Sequence, residues 1–243
     1  MTSTMALTGQ RVVVIGGSSG MGLATAQAAA RAGAAVTIAS SDKGRLDKAL
    51  AQIPEGADGV VTDTRDEDSV AALFEHVGNL DHLVYTAGDA VAPKALVDTP
   101  LADARQRMDV RFWGFVAAVR HAAPRMGPNG SISVTSGTVG VRPAPGFALG
   151  AAGVGATEGL ARGLALELAP IRVNVVRAGA VRTPMWEALP EQQREALFAT
   201  MAKRTLTGAI GEAEQIAATH LYLMQNGFVT GTVITVDGGA LLT

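Results

Sequence analysis

Residues 11–31 read Arg-Val-Val-Val-Ile-Gly-Gly-Ser-Ser-Gly-Met-Gly-Leu-Ala-Thr-Ala-Gln-Ala-Ala-Ala-Arg, and this order decides the fold. Four β-branched residues in a row, Val12 to Ile15, favour a strand buried on both faces. Glycines at 16, 17, 20 and 22 end it, and an alanine-rich run of strong helix formers follows. A strand that turns sharply into a helix points the free N–H groups of the first helical turn at the space above the strand end, which suits negative charge. The spacing Gly16-x3-Gly20-x-Gly22 therefore predicts a turn through which the backbone approaches a pyrophosphate closely. It differs from the more familiar G-x-G-x-x-G, and a glycine-rich turn that holds no ligand is the alternative.

Outward from this turn the same alternation runs to the end of the chain. Short β-branched runs predict strands at 11–15, 35–39, 59–62, 82–85, 131–135, 171–176 and 233–236. Helical spacing predicts helices at 22–32, 43–52, 67–77, 102–126, 150–169, 190–201 and 212–226. Strands alternating with helices predict an α/β fold, a doubly wound parallel seven-stranded sheet of the Rossmann type with helices on both faces. No linker, repeat or low-complexity tract divides the chain, so residues 1–243 read as a single domain. The irregular stretch 177–190 follows the sixth strand, where such sheets place loops that cover a ligand.

Composition narrows the possible functions. The chain has 243 residues, 20 Lys plus Arg against 22 Asp plus Glu, and a net charge of −2, so neither nucleic acid nor an anionic membrane is the expected partner. Without cysteine, disulfides, thiolate catalysis and Cys-based zinc sites are excluded. His76, His82, His121 and His220 form no ligand pair by spacing, and no metal is expected. Residues 1–10 lack the basic start and apolar run of a signal peptide. The uncharged stretches 12–30 and 215–236 are broken by turn residues and read as soluble elements, so the cytoplasm is the expected compartment.

From Gly9 to Leu242 the chain resembles the single-domain short-chain dehydrogenase/reductases. The resemblance is carried by the glycine turn, by Asp63-Thr64 after the third strand and by Tyr85-Thr86-Ala87-Gly88 after the fourth, where the family has Asn-Asn-Ala-Gly. Further carriers are Glu167-Leu168-Ala169 with Ile171-Arg172-Val173-Asn174, then Thr183-Pro184, then Thr230-Gly231 with Val236-Asp237-Gly238-Gly239. The resemblance implies that Gly16, Ser18, Ser19, Gly20, Met21 and Gly22 hold the phosphates of a nicotinamide dinucleotide. It implies Asp63 and Thr64 at the adenine, Ala87 and Gly88 beside the ribose, and Val181 and Thr183 at the nicotinamide amide. A homotetramer, or a dimer, is the implied assembly, with the long fourth and fifth helices pairing across two-fold axes.

Cofactor choice is read at the end of the second strand, where a carboxylate would bind the ribose 2′-hydroxyl of NAD and repel the phosphate of NADP. The equivalent positions are Ser40 and Ser41, and neither is acidic. Ser41, Lys43 and Arg45 suit a phosphate. Asp42 is the competing feature, and we read it as a cap of the next helix. NADP(H) is the expected cofactor.

At the catalytic end the family pattern fails. The family's chemistry rests on Tyr-x3-Lys, a serine and an asparagine. The only tyrosines here are Tyr85 and Tyr222, and no lysine occurs between Lys94 and Lys203. Counting back from Glu167-Leu168-Ala169 puts Gly150 at the tyrosine position and Val154 at the lysine position, while Arg111 stands for the asparagine. Ser136 looks retained, so Ser136 as hydrogen-bond donor and Arg111 as positive charge are the expected stabilisers of a developing alkoxide. A surface ion pair is the alternative for Arg111.

Gly150 leaves volume beside the nicotinamide. The runs Pro143-Ala144-Pro145-Gly146-Phe147 and Met185-Trp186 through Leu189 offer apolar walls, although Phe147 and Trp186 could equally pack within a loop core. The sequence thus predicts an NADP(H)-dependent oxidoreductase that reduces a carbonyl, a bulky apolar ketone, without the family tyrosine. A catalytically inactive cofactor-binding protein acting as sensor or assembly partner is the alternative, and non-redox chemistry on the same fold is a third.

Overall fold

The computed structural model describes residues 7–54, 56–88 and 93–243; Met1 to Ala6, with which the N-terminal reading begins, lie outside the described residues. The strands are β1 (Arg11–Ile15), β2 (Ala35–Ser40), β3 (Asp58–Val61), β4 (Leu80–Tyr85), β5 (Met126–Gly137), β6 (Arg172–Ala178), β7 (Val181–Arg182), β8 (Gly211–Glu212) and β9 (Val233–Val236). The helices are α1 (Gly20–Arg31), α2 (Lys43–Leu50), α3 (Glu67–Val77), α4 (Leu101–Gln106), α5 (Gly114–Ala122), α6 (Ala148–Glu167), α7 (Glu191–Ala202) and α8 (Ala213–Gln225). Seven strands form one parallel sheet in the order β3-β2-β1-β4-β5-β6-β9. The direction of winding reverses between β1 and β4, and in such sheets the cleft outside that switch point takes the ligand.

Period-2 alternation explains how one sheet serves two cores. Val13 and Ile15 join Leu73, Phe74, Phe115, Ala118 and Ala161 beneath α3, α5 and α6. Val12 and Val14 face the other way, toward Ala26, Ala29, Leu46, Ala49 and Met224 of α1, α2 and α8. Both faces are dry, as the absence of an alternating polar face in β1 predicted.

Two elements differ from the sequence expectation. The predicted helix 102–126 is broken: α4 stops at Gln106, a π turn spans Asp109–Trp113, and α5 starts at Gly114. Tertiary contact accounts for the break. The buried Tyr85 hydroxyl donates to the Val110 carbonyl inside the π turn, and a Cβ at Gly114 would lie 2.8 Å from Thr64 Cβ. The sequence also did not predict the short β7–β8 pair, which joins the two ends of residues 183–210 in register Val181↔Gly211 and Arg182↔Glu212. Among the described residues no helix is long and apolar enough to cross a membrane.

Candidate active site

At the nucleotide end, backbone meets backbone so closely that side chains are excluded. Gly16 has φ +84°, and a Cβ there would lie 2.7 Å from Ala87 N. A Cβ on Gly22 would run into the Gly16 carbonyl and stand 2.5 Å from Thr86 Oγ1. These contacts dock the first turn of α1 onto the ends of β1 and β4, in a cradle that a single methyl group would fill. Ser19 precedes α1 without capping it through its side chain, and the first turn carries no acid to offset the helix dipole. Ser18 Oγ donates to Ser40 Oγ at 2.8 Å, which ties the turn to the end of β2. Thr183 reaches the same turn from the far side of the cleft, 3.2 Å from where a Gly20 Cβ would be. Met21 is partly buried against the cluster of Val176, Ala178, Val181, Ile216 and Leu223 and anchors the turn there. These features fit the phosphates and backbone approach of a dinucleotide.

At the end of β2, Asp42 accepts the Arg45 N–H at 2.8 Å as N-cap of α2, the role assigned to it from sequence. That backbone hydrogen bond, with the Arg45 and Lys48 charges, holds its carboxyl below the usual carboxylate range. Ser41 is exposed beside it. Asp63 is gripped by Arg65 through bonds of 3.0 and 2.7 Å, and this pairing holds its carboxyl low. Thr64, expected at the adenine, is 8% exposed, and its side chain packs against Gly114 at the start of α5.

The reacting end is built differently. Arg111 comes off the π turn, and its Nη1 donates to the Thr135 carbonyl at 3.4 Å. Its guanidinium lies against Gly88, where an added Cβ would stand 2.8 Å from Cζ and collide with Nη2. Its stem runs past α6, with Cδ 4.0 Å from a Cβ built on Gly153. The structure thus brings Arg111 to the ends of β4 and β5, next to Ala87 and Gly88.

Ser136 requires a correction. Its side chain is 3% exposed and donates to Glu158 Oε1 at 2.7 Å. Glu158 lies eight residues past Gly150 on α6, about 12 Å of helix rise. The one hydroxyl proton of Ser136 is committed to Glu158 in this structure. Glu158 in turn receives Arg177 Nε at 2.8 Å and Nη2 at 2.6 Å, and Arg177 Nη1 reaches Thr235 at 3.2 Å. Burial alone would raise the Glu158 pKa, but the Arg177 and Ser136 hydrogen bonds outweigh it and hold the carboxyl below its usual value. Sequence reasoning missed this cluster. The available signal was Glu158 as the first charge after Arg142.

Above Glu158, the α6 face that carries Gly150 and Val154 offers no ionisable group. The atoms nearest to a Cβ built on Gly137 belong to Val139, Val154 and the Ala178 carbonyl, at 3.8 to 4.0 Å. Trp186 packs edge-on against Phe198 with centroids 5.9 Å apart and donates Nε1–H to the Val181 carbonyl at 2.9 Å. It therefore belongs to the core of the segment over the cleft. Arg182 stacks on the same Phe198 ring at 4.4 Å and pairs with Glu195 at 2.7 Å, fastening that segment to its base. No group of three or more metal-ligating side chains occurs among the described residues.

Residues 15–240 match the protein family described as enoyl-(acyl carrier protein) reductase. A short-chain dehydrogenase/reductase of Acremonium sp. is 36% identical over 250 residues, covering 95% of both chains. The structure of a reductase/Diels-Alderase from Malbranchea aurantiaca superposes with a TM-score of 0.93 at 32% identity, covering 99% of this chain and 100% of that one. A small-chain dehydrogenase solved in complex with NADPH superposes with a TM-score of 0.84 at 36% identity, covering 96% and 99%. The fold and the glycine cradle define a dinucleotide-binding α/β protein. The chain belongs to the short-chain dehydrogenase/reductase family.

Proposed function

We propose that this protein is an NADP(H)-dependent reductase of a bulky, apolar carbonyl compound that works without the family tyrosine. The observation that carries the reading is the contrast between a complete phosphate cradle and a reacting end whose charge comes from Arg111. Gly16, Gly20 and Gly22 let the backbone and the α1 N-terminus hold the pyrophosphate. Ser18, Ser40 and Ser41 border the site of a 2′-phosphate, with Asp42 occupied in capping α2. Val181 and Thr183 flank the nicotinamide end. When bound, the reduced cofactor supplies a hydride to an electrophilic carbon. Arg111 stabilises the negative charge that develops on the substrate oxygen, and water delivers the proton. A guanidinium keeps its own proton at neutral pH, so its part is electrostatic.

The similar structures described as a reductase/Diels-Alderase and as an NADPH complex support a redox reading of the same cleft. For assembly we propose a homotetramer. Its support is an apolar groove between α5 and α6, lined by Val116, Val119, Ala123, Leu160, Leu164 and Leu168. Light scattering at micromolar concentration tests this, and a monomer overturns it.

The function is tested by titrating NADPH and NADH by fluorescence, then following cofactor absorbance with a panel of bulky aryl ketones. Tighter NADPH binding with steady oxidation supports the proposal. Cofactor binding without turnover across the panel supports the inactive sensor in its place.

A further inference from the structure

We propose that the turn Asp237–Thr243 is a strap that ties together the two walls of the substrate mouth, and that Arg142 is the positioning residue through which it holds one of them. Its role toward a carbonyl compound rests on the reductase reading; the contacts themselves do not.

Each wall can be followed from the cleft to this turn. One is the loop after β5. It turns through Thr138–Gly140, and a Cβ on Gly140 would stand 2.7 Å from Val154 Cγ2, so the loop lies against the part of α6 that carries Gly150 and Val154. Two residues on, Arg142 Nη1 donates to the Ala240 carbonyl at 3.0 Å. The other wall is the segment between β7 and β8. It begins with Thr183, which lies 3.2 Å from a Cβ built on Gly20 of the nucleotide turn. Its far end reaches the same strap: Leu206 N–H and Thr207 N–H donate to the Gly238 carbonyl at 2.8 and 3.2 Å, and Thr243 Oγ1 donates to the Arg204 carbonyl at 2.7 Å.

The strap itself is built to be stiff. The Asp237 carboxylate accepts the N–H groups of Gly239 at 2.9 Å and Leu241 at 3.0 Å, which folds the turn around it. Gly238 and Gly239 have φ +62° and +79°, a region that side chains disfavour, and a Cβ on Gly239 would meet Leu206 Cδ1 at 2.8 Å. A Cβ on Gly179 would stand 2.7 Å from Asp237 Cα, so the strap is seated on the chain just past β6. A rigid piece bonded to both walls makes their separation a single variable. The segment between β7 and β8 is bonded to it largely through main chain. The loop after β5 is bonded through the Arg142 side chain, so residue 142 is where the sequence sets the width of the mouth.

The test uses the full-length protein with NADP+ and two readouts. Hydrogen–deuterium exchange reads the tie. Arg142→Met should speed exchange in peptides covering 203–209 by about threefold or more, although residue 142 lies on the other wall. Arg142→Lys, which keeps a donor on a long stem, should restore part of the protection. Faster exchange confined to 138–147, or no change at all, overturns the proposal. The solvent-sensitive aryl ketone 6-acetyl-2-(dimethylamino)naphthalene reads the mouth by fluorescence, without turnover. Its Kd should rise about three- to tenfold in Arg142→Met, a ceiling set by the worth of one hydrogen bond, while the NADP+ Kd changes by less than about twofold. Equal ketone affinity in wild type and Arg142→Met removes the positioning role. Failure of wild type to bind the ketone counts against the substrate reading, and the exchange result still decides the strap.

Discussion

The two halves of the cleft obey different rules. At the nucleotide end, specificity comes from missing side chains: at Gly16 and Gly22 an added Cβ would collide with backbone, and at Gly20, with φ +50°, it would press on the Thr183 side chain at 3.2 Å. At the reacting end an added Cβ at Gly137 or Gly153 would meet its neighbours only at 3.5 to 4.0 Å, and one long side chain from another element, Arg111, runs past Gly153. Steric exclusion leaves a local sequence signature because the glycines it requires stand close together at 16, 20 and 22, although the groups they meet include Thr86, Ala87 and Thr183. A cation delivered from 20 to 40 residues away does not. The comparison teaches that a cofactor cradle tolerates almost no substitution, while the chemistry beside it can be rebuilt from a different helix.

The hardest way to break this contrast is Gly22→Val. Its side chain would enter the Gly16 carbonyl and Thr86. Overpacking of this kind costs about 1–3 kcal/mol or more. We expect at least a hundredfold loss of NADPH affinity by fluorescence titration, or loss of the folded state by circular dichroism. Gly155→Ala, which meets nothing within 4 Å, should bind NADPH as wild type does.

Next in size is Arg111→Met. If this charge carries the oxyanion, kcat should fall by about 10²–10³-fold, the usual cost of removing one such donor. The NADPH Kd should change less than threefold. Equal kcat in steady-state assays would remove Arg111 from the chemistry.

Acid should reveal a third difference, on the α8 face of the sheet, away from the cleft. His82 lies between Ser131 and Gln10, each at 2.7 Å, and His220 lies between Ser133 at 2.8 Å and Thr135 at 3.0 Å. Burial lowers His82 to about 4, helped by Arg172 and opposed by Asp81, and lowers His220 to about 3. Both folded values lie below the unfolded 6.5, so their stabilisation is complete above that pH and declines as pH falls toward the folded values. At pH 5 each should cost about 2 kcal/mol of stability. Urea unfolding at pH 7 and pH 5 measures this, and His220→Gln, which can keep both hydrogen bonds, should remove about half of the slope.

The smallest expected effect concerns Ser136→Ala. Losing the bond to Glu158 should cost about 1 kcal/mol of stability. It should leave kcat within twofold, because that hydroxyl is committed to Glu158. A loss of tenfold or more at unchanged stability would restore Ser136 to the oxyanion site and blur the division between the two ends.

The amino-acid order by itself determined the parallel sheet, the strand–turn–helix cradle and the loss of Tyr-x3-Lys. Each of these depends on residue type at short range: β-branched runs, glycine spacing and the simple absence of a phenol from position 150. It also identified Asp42 as a cap, since a capping carboxylate bonds an N–H only three residues away. Tertiary structure alone decided the rest. Period 2 on β5 tells that Ser133 and Ser136 face opposite sides, but not that Glu158 awaits one and His220 the other. Helical spacing made one helix of residues 102–126, because nothing local announces that Tyr85, on a strand laid down earlier in the chain, will bond the Val110 carbonyl and open a π turn. That turn is what carries Arg111 to Gly88. Its position follows from the register of β4 against β5 and the docking of α6, long-range packing that no window of sequence contains.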